Sequence, residues 1–135
     1  MSWALAVAMP GEVAAYDAVI AVRNLRQALS SPDRLDASTR EALHVKPHPE
    51  ISLGAREAAV SAAERLLDAP LCQVGIGIAT RDDDSLQFTA PSVLRDVQVS
   101  ISHDGHYVAG AVARAALEHR LRVDAGQDMG PPALA

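Results

Sequence analysis

Large aromatic side chains and cysteine are the residue types that the sequence has least of. Its 135 residues include one Phe, one Trp, two Tyr and one Cys, although 49% are hydrophobic. A single cysteine excludes an intrachain disulfide and is typical of the reducing cytosol. A core with few aromatics must be built from Ala, Val and Leu, and small cores of this kind favour oligomers. We therefore expect a cytoplasmic globular domain that assembles with copies of itself.

Positive charge and long hydrophobic runs are also scarce. The formal net charge is −5, whereas nonspecific binding to nucleic acids or anionic membranes requires an excess of cations. The N-terminal stretch MSWALAVAMP is apolar, but it lacks a basic n-region and is too short for a membrane span. These features predict that the protein binds neither nucleic acid nor membranes, and residues 3–9 are expected to form a first strand.

Three segments have the composition or the spacing of helices. Residues 12–29 repeat apolar side chains at roughly helical spacing. Residues 34–43 predict a short helix with Asp36 or Ser38 as its N-cap. Residues 52–69 give the clearest helix, because Ala, Glu, Arg and Leu dominate them.

The second half of the chain switches to strand-like patterns. Apolar residues alternate over 71–80, and 86–94 begins in the same way. Segments 97–101 and 106–115 predict a hairpin whose tight turn contains Asp104-Gly105. The order of segments predicts an α+β fold, with a long helix packed on a small antiparallel sheet.

A single domain is expected to span residues 1–123. The end of the chain, residues 124–135, is rich in Gly and Pro and is predicted to be a flexible tail.

The predicted hairpin carries the polar stretch SHDGH at its turn. Histidine titrates near neutral pH, so His103 and His106 are candidates for acid–base work or, with further ligands, for a zinc site. Ser102, His103 and Asp104 could also bind a phosphate or a carbonyl group. The simplest alternative is that Asp104-Gly105 makes the turn. Neighbouring strand residues point to opposite faces, so adjacency alone does not make a catalytic triad.

Two other polar segments have a functional and a structural interpretation. His44 and His48 flank Lys46-Pro47 in a loop that could close over a ligand, although an exposed connector is the simpler interpretation. Three consecutive aspartates at 82–84 could bind a cation or form a solvated turn.

Two motifs resemble the holo-acyl-carrier-protein synthase family. LGAREAAVSAAERL at 53–66 is similar to the helix motif F-A-A-K-E-A-x-x-K-A. VQVSISHDGHYVAGAVA at 97–113 is similar to the closing motif V-x-V-S-[IL]-[ST]-H with its Tyr-led strand. The resemblance implies a 4′-phosphopantetheinyl transferase fold and a homotrimer with active sites between subunits. It also implies transfer of 4′-phosphopantetheine from coenzyme A to a serine of an acyl carrier protein, with Mg²⁺.

The resemblance implies roles for individual residues. Glu57 matches the metal-binding, catalytic Glu of the family, and Arg56 replaces the Lys before it. From the residues alone, Glu57 could equally be a solvated helical carboxylate that pairs with Arg56 or Arg65. Ser61 stands where the family has its second Lys, which has a role in proton transfer or in contact with the phosphates. Ser102 and His103 match the S-H pair near coenzyme A.

The first strand and one turn depart from the family pattern. The family strand reads G-[IV]-D-[IV] and its Asp is the principal metal ligand, whereas Ala8 falls roughly at that position. RDDDSLQF stands where the family has a G-K-P turn. Because Mg²⁺ prefers hard carboxylate oxygens, a functioning metal site would need Glu12, Asp17 or a carboxylate of a neighbouring subunit beside Glu57.

Three functions remain open. The first is a phosphopantetheinyl transferase with a shifted metal site. The second is an enzyme without metal or cofactor, in which Glu57, His103 or Asp104 does acid–base work on a small or carrier-tethered, polyketide-like substrate. The third is a non-catalytic partner that binds a carrier protein. Arg23 and Arg26, on the predicted first helix, are candidates to hold an acidic carrier protein, although a solvated helix face explains them equally.

Overall fold

The computed structural model describes residues 15–30, 34–71 and 75–126. In chain order its elements are β1 Ala15–Asn24, α1 Leu25–Leu29, α2 Ala37–Ala42, α3 Pro49–Leu67, β2 Gly77–Thr80, β3 Leu86–Ala90, β4 Gln98–Asp104, β5 Tyr107–Ala116 and β6 Arg120–Asp124. Short 3-10 turns occupy Leu43–Val45 and Ser92–Leu94. The predicted strand at 3–9, with Ala8, lies outside the described residues, and the domain boundaries stay a prediction.

The described strands form one six-stranded sheet in the order β2-β3-β4-β5-β1-β6. Strand β6 runs parallel to β1, and the other neighbouring strands are antiparallel. The predicted α+β class is therefore confirmed. The predicted hairpin is present as β4 and β5, and Gly105 adopts φ +61° in its turn, a conformation that glycine reaches without steric cost. No helix of the described residues is long and apolar enough to span a membrane.

The predicted helix over 12–29 is wrong. Strand β1 occupies most of this range, between β5 and β6, and α1 is only five residues long. The β-branched Val19, Ile20 and Val22 favour a strand, and pairing on both sides satisfies the backbone N–H and C=O groups. The apolar spacing fits a helix as well, so the tertiary pairing decides the outcome.

Helix α3 lies against β5 and β1. It begins at Pro49, before the predicted start at residue 52, because proline is well accommodated in the first turn of a helix. The buried side chains along it are mostly small: Ala55, Ala58, Ala59, Val60, Ala62, Ala63 and Leu66. A Cβ on Gly110 of β5 would collide with the backbone of Ala59. Small residues on both elements therefore allow the close approach of helix and strand.

The two faces of the sheet differ in character. Register partners of neighbouring strands share a face, which places Val19 and Val112 on the α3 side and Ile20 and Ala111 on the other. We call that second side the open face. Its small or apolar side chains are Ala18, Ile20, Val22, Ala109, Ala111, Ala113, Leu121 and Val123.

Candidate functional site

A buried arginine holds the carboxylate of Glu57. The side chains of Arg34 and Glu57 are 8% and 6% exposed, and Nε of Arg34 lies 3.0 Å from Oε1 of Glu57. The backbone N–H of Arg34 donates to Oε2 at 3.5 Å, and Nη2 donates to the backbone carbonyl of Glu57 at 3.1 Å. One residue therefore engages both carboxylate oxygens. Because a lone buried carboxylate is costly, this pairing explains how Glu57 can lie inside the protein.

The same guanidinium reaches two further side chains of α3. It donates to Oγ of Ser61 at 3.0 Å and to Oε1 of Glu64 at 2.7 Å. Oε2 of Glu64 accepts from the backbone N–H of Leu71 at 2.7 Å. Glu57, Ser61 and Glu64 share one helix face because they are four and three residues apart. We call Arg34 and these three side chains the Arg34 network. It links the segment before α2 and the segment after α3 to helix α3.

Arg56 is a second buried cation, on a different side of α3. It is 4% exposed, and its Nη1 donates to the backbone carbonyl of Ser52 at 3.1 Å. Among the described residues it forms no ion pair, and its buried Nε has no hydrogen-bond partner there. Burial lowers the pKa of the Arg56 guanidinium by removing water from the charged form. Arginine nevertheless stays charged in proteins, so Arg56 is a buried positive charge without an ionic partner among the described residues.

His103 lies on β4, at the end of the hairpin that packs against the first half of α3. Its register partner is Val108, which packs with Ala55 and Ile101. Because alternate residues of a strand share a face, His103 and Ile101 both point to the α3 side. His103 itself is exposed, so its imidazole is accessible to a ligand bound near the first turns of α3.

Ser102 and Asp104 point away from His103. Their register partners are Ala109 and Tyr107, on the opposite face of the sheet. Strand alternation therefore separates the three neighbours that the sequence offered as one polar group. His106 is exposed in the turn, and its backbone carbonyl accepts from the N–H of Leu25 at 2.6 Å.

Arg23 and Arg26 lie on different elements and not on one helix. Arg23 is on β1, where Nη2 and Nη1 contact Oδ2 and the backbone carbonyl of Asp124 at 3.2 and 2.7 Å. Burial acts to raise the pKa of Asp124, but the hydrogen bond and charge of Arg23 and the N–H of Gly126 outweigh it and lower that pKa. Arg26 is exposed on α1, so it is the more accessible of the two for a partner protein.

The remaining polar candidates are on the surface. His44 and His48 are both exposed. The aspartates at 82–84 form an exposed turn, in which Asp83 accepts from the hydroxyl and backbone N–H of Ser85 at 2.6 and 3.0 Å. These hydrogen bonds lower the pKa of Asp83 and are typical of a turn.

The described side chains do not fit a magnesium site. Mg²⁺ is usually held by one or two carboxylates together with phosphates and waters. The Glu57 carboxylate forms an ion pair with Arg34, and Oδ1 of Asp17 on β1 accepts from Nη2 of Arg122 at 3.0 Å. Across residues 15–30, 34–71 and 75–126, no group of three or more His, Cys, Asp or Glu side chains could hold a metal ion. Glu12 lies outside these ranges.

The architecture has a counterpart of known structure. The crystal structure of holo-[acyl-carrier-protein] synthase from Neisseria meningitidis matches with a TM-score of 0.57, over 75% of this chain and 97% of that chain. The two chains share a fold. They are 15% identical in sequence, so the likeness shows the fold alone. No protein-family model matches the chain, and no curated protein matches it.

Sequence reasoning missed Arg34, which changes the role open to Glu57. The two residues are 23 positions apart, and nothing in the spacing of the chain links them. Strand β6, Arg120–Asp124, was not predicted either, because no element was predicted for residues 116–123 and the tail was expected to begin at residue 124.

Arg34→Met should destabilise the protein strongly. It would leave the Glu57 carboxylate buried without its guanidinium, and we expect a loss of about 3–5 kcal/mol in the free energy of unfolding. Glu57→Gln should cost less, because an acceptor remains and Arg34 keeps Glu64. The double variant should lose less than the sum of the two single losses, since the partners are coupled. Urea unfolding of all four proteins measures this.

The matched control is Arg95→Met, at an exposed position, for which we expect a change within about 0.5 kcal/mol. The structural role of the pair would be contradicted if the double variant lost the sum of the two single losses in unfolding free energy. It would also be contradicted if Arg34→Met were as stable as the control.

Proposed function

We propose that the protein binds 4′-phosphopantetheine and transfers it from coenzyme A to a serine of an acyl carrier protein. The observation that supports this is the buried Arg56, without an ionic partner among the described residues, inside a fold shared with a holo-[acyl-carrier-protein] synthase. The negatively charged diphosphate of coenzyme A would be the anionic partner of this guanidinium. Arginine binds phosphate oxygens through two parallel hydrogen bonds, which also fixes their orientation.

The chemistry of this proposal divides between Arg56 and His103. Phosphoryl transfer depends on positioning and on stabilising the charge of the phosphates, which is the role of Arg56. The serine oxygen bonds to the pantetheine-linked phosphorus, while the bond from that phosphorus to the bridging oxygen breaks and adenosine 3′,5′-bisphosphate leaves. His103 takes the serine proton, because an accessible imidazole is a general base near neutral pH.

A second candidate is a metal-independent enzyme that acts on a small or carrier-tethered substrate. The Arg34 network favours it, because the carboxylate expected to bind metal is instead part of a buried ion pair. His103 remains exposed at the hairpin end and could move a proton on such a substrate. In both candidates Glu57 stabilises the fold, whereas His103 moves a proton on the substrate.

His103→Ala should slow transfer without unfolding the protein. With an apo acyl carrier protein and coenzyme A, mass spectrometry should show that wild-type protein adds 4′-phosphopantetheine to the carrier. Loss of a general base typically costs about 10²-fold or more in rate, and Arg56→Gln should weaken coenzyme A binding. His106→Ala is the matched control, since His106 is also exposed in the same hairpin.

Two outcomes separate the candidates, and a third tests the base that both assign. No labelling by wild-type protein at high concentration would reject the transferase, whereas proton exchange on a carrier-bound thioester, lost in His103→Ala, would support the second candidate. Equal rates for His103→Ala and His106→Ala would reject the assigned base in either reaction.

We also propose that copies of this chain assemble as a homotrimer through the open face. The open face carries small and apolar side chains on β1, β5 and β6, and Leu121 and Val123 are 62% and 64% exposed. Burial of such a face is favourable in proportion to its apolar area. The small side chains of Ala109 and Ala111 would let a second sheet approach closely.

Ala111→Glu should convert the trimer to a monomer, because it places a charge at the centre of the open face. Sedimentation equilibrium measures the mass of each form. Ala37→Glu makes the same change at an exposed helix position and should leave the assembly intact. A monomeric wild-type protein, or a trimeric Ala111→Glu variant, would reject this interface.

A further inference from the structure

Charged side chains line up across three strands next to the last turn of α3. In the register of the sheet, Arg114 of β5 lies opposite Asp17 of β1, and Arg120 of β6 lies beside Asp17 on the other side. Such neighbours share one face, with side chains close enough to interact. Two arginines therefore flank a single aspartate in this row.

A concavity of about 610 Å³ lies between this row and the end of α3. Its charged lining consists of four arginines and two aspartates: Arg65, Arg114, Arg120, Arg122, Asp17 and Asp68. The chain as a whole is acidic, with 12 Lys and Arg against 17 Asp and Glu. The concavity thus concentrates a third of the cations of the chain where positive charge exceeds negative charge.

These cations are only partly neutralised by the protein, since Asp17 pairs with Arg122 and Asp124 interacts with the charge of Arg65. Arg122 donates from Nη2 to Oδ1 of Asp17 at 3.0 Å and from Nη1 to the backbone carbonyl of Arg65 at 3.4 Å. Its Nε is buried and has no hydrogen-bond partner in the part of the chain that the structure describes. The ion pairs between described residues include neither Arg65 nor Arg114 nor Arg120.

We propose that this concavity binds a phosphate-bearing anion of two or more negative charges, such as a diphosphate. Guanidinium groups match phosphate oxygens in shape and charge, and a buried unpaired Nε calls for an acceptor. Because neighbouring arginines repel one another, a ligand that neutralises several of them at once removes the most repulsion. The diphosphate can be free or part of a nucleotide-like molecule such as coenzyme A. The site is distinct from Arg56 and His103, and the inference does not depend on the transferase reaction.

Calorimetric titration with inorganic diphosphate, and separately with coenzyme A, tests the site. We expect wild-type protein to bind diphosphate, and Arg114→Gln/Arg120→Gln to weaken it roughly tenfold or more, because charge-assisted hydrogen bonds are lost. Arg81→Gln/Arg95→Gln removes the same charge at two exposed positions elsewhere and should keep the affinity within a few-fold. In Arg56→Gln, which lacks the contact proposed for the transferase, binding of diphosphate but not of coenzyme A would identify the free anion as the ligand form.

Asp68→Asn is a variant with the opposite expected effect. Asp68 is exposed at the end of α3 with φ +54°, a conformation that asparagine tolerates, so the fold should be kept. Because one competing carboxylate is removed, diphosphate should bind a few-fold more tightly.

Four results would overturn the inference. The first is no binding of diphosphate by wild-type protein, including the case in which only an acidic protein binds this surface. The second is equal weakening in the two double variants, and the third is unchanged or weaker binding in Asp68→Asn. The fourth is binding that is lost in Arg56→Gln and kept in Arg114→Gln/Arg120→Gln, which would place the anion at the proposed transferase site instead.

Discussion

The buried ion pair between Arg34 and Glu57 is the interaction on which the rest of the site depends. Arg34 reaches Glu57, Ser61 and Glu64 on one face of α3. The segment that carries Arg34 also bridges to β2, since the N–H of Ile76 donates to the carbonyl of Arg34 at 2.7 Å. The pair therefore joins the edge of the sheet to the central helix. A buried pair contributes little net stability compared with apolar packing, but breaking it is costly.

This pair also decides what Glu57 can do. A carboxylate that accepts from the guanidinium of Arg34 at Oε1 and from the backbone N–H of Arg34 at Oε2 is poorly placed to coordinate a cation, because the positive charge of the adjacent guanidinium repels the ion. The positive charges that remain available on α3 and the nearby strands belong to Arg56 and to the arginine-lined concavity. We therefore propose anions, and not metals, as the ligands of the described part of the protein, whose fold is shared with a holo-[acyl-carrier-protein] synthase.

The parts of the fold that the sequence predicted are those set by local chemistry. Helix α3 follows from its Ala-rich composition, and the β4–β5 hairpin follows from alternation and Asp104-Gly105. Strand β1 could not be predicted, because the spacing of its apolar residues also fits a helix, although the β-branched Val19, Ile20 and Val22 favour a strand. Its conformation depends on pairing with β5 and β6, which come from the far end of the chain.

The same limit applies to the candidate site. The roles of Arg56 and His103 that the motifs imply stay predictions, and the alternation of strand residues explains why Ser102 and Asp104 face away from His103. The partner of Glu57 could not be predicted, since an ion pair between residues 23 positions apart exists only once α3 and the segment before α2 have packed.

The most direct test of the role assigned to Glu57 is electron paramagnetic resonance of Mn²⁺, a stand-in for Mg²⁺, in the presence of coenzyme A. Because Arg34 holds the Glu57 carboxylate, we expect wild-type protein and Glu57→Gln to bind the same amount of Mn²⁺ with the same affinity. Stoichiometric Mn²⁺ binding by the wild type that disappears in a folded Glu57→Gln variant would contradict a structural role for this carboxylate and restore it as a metal ligand.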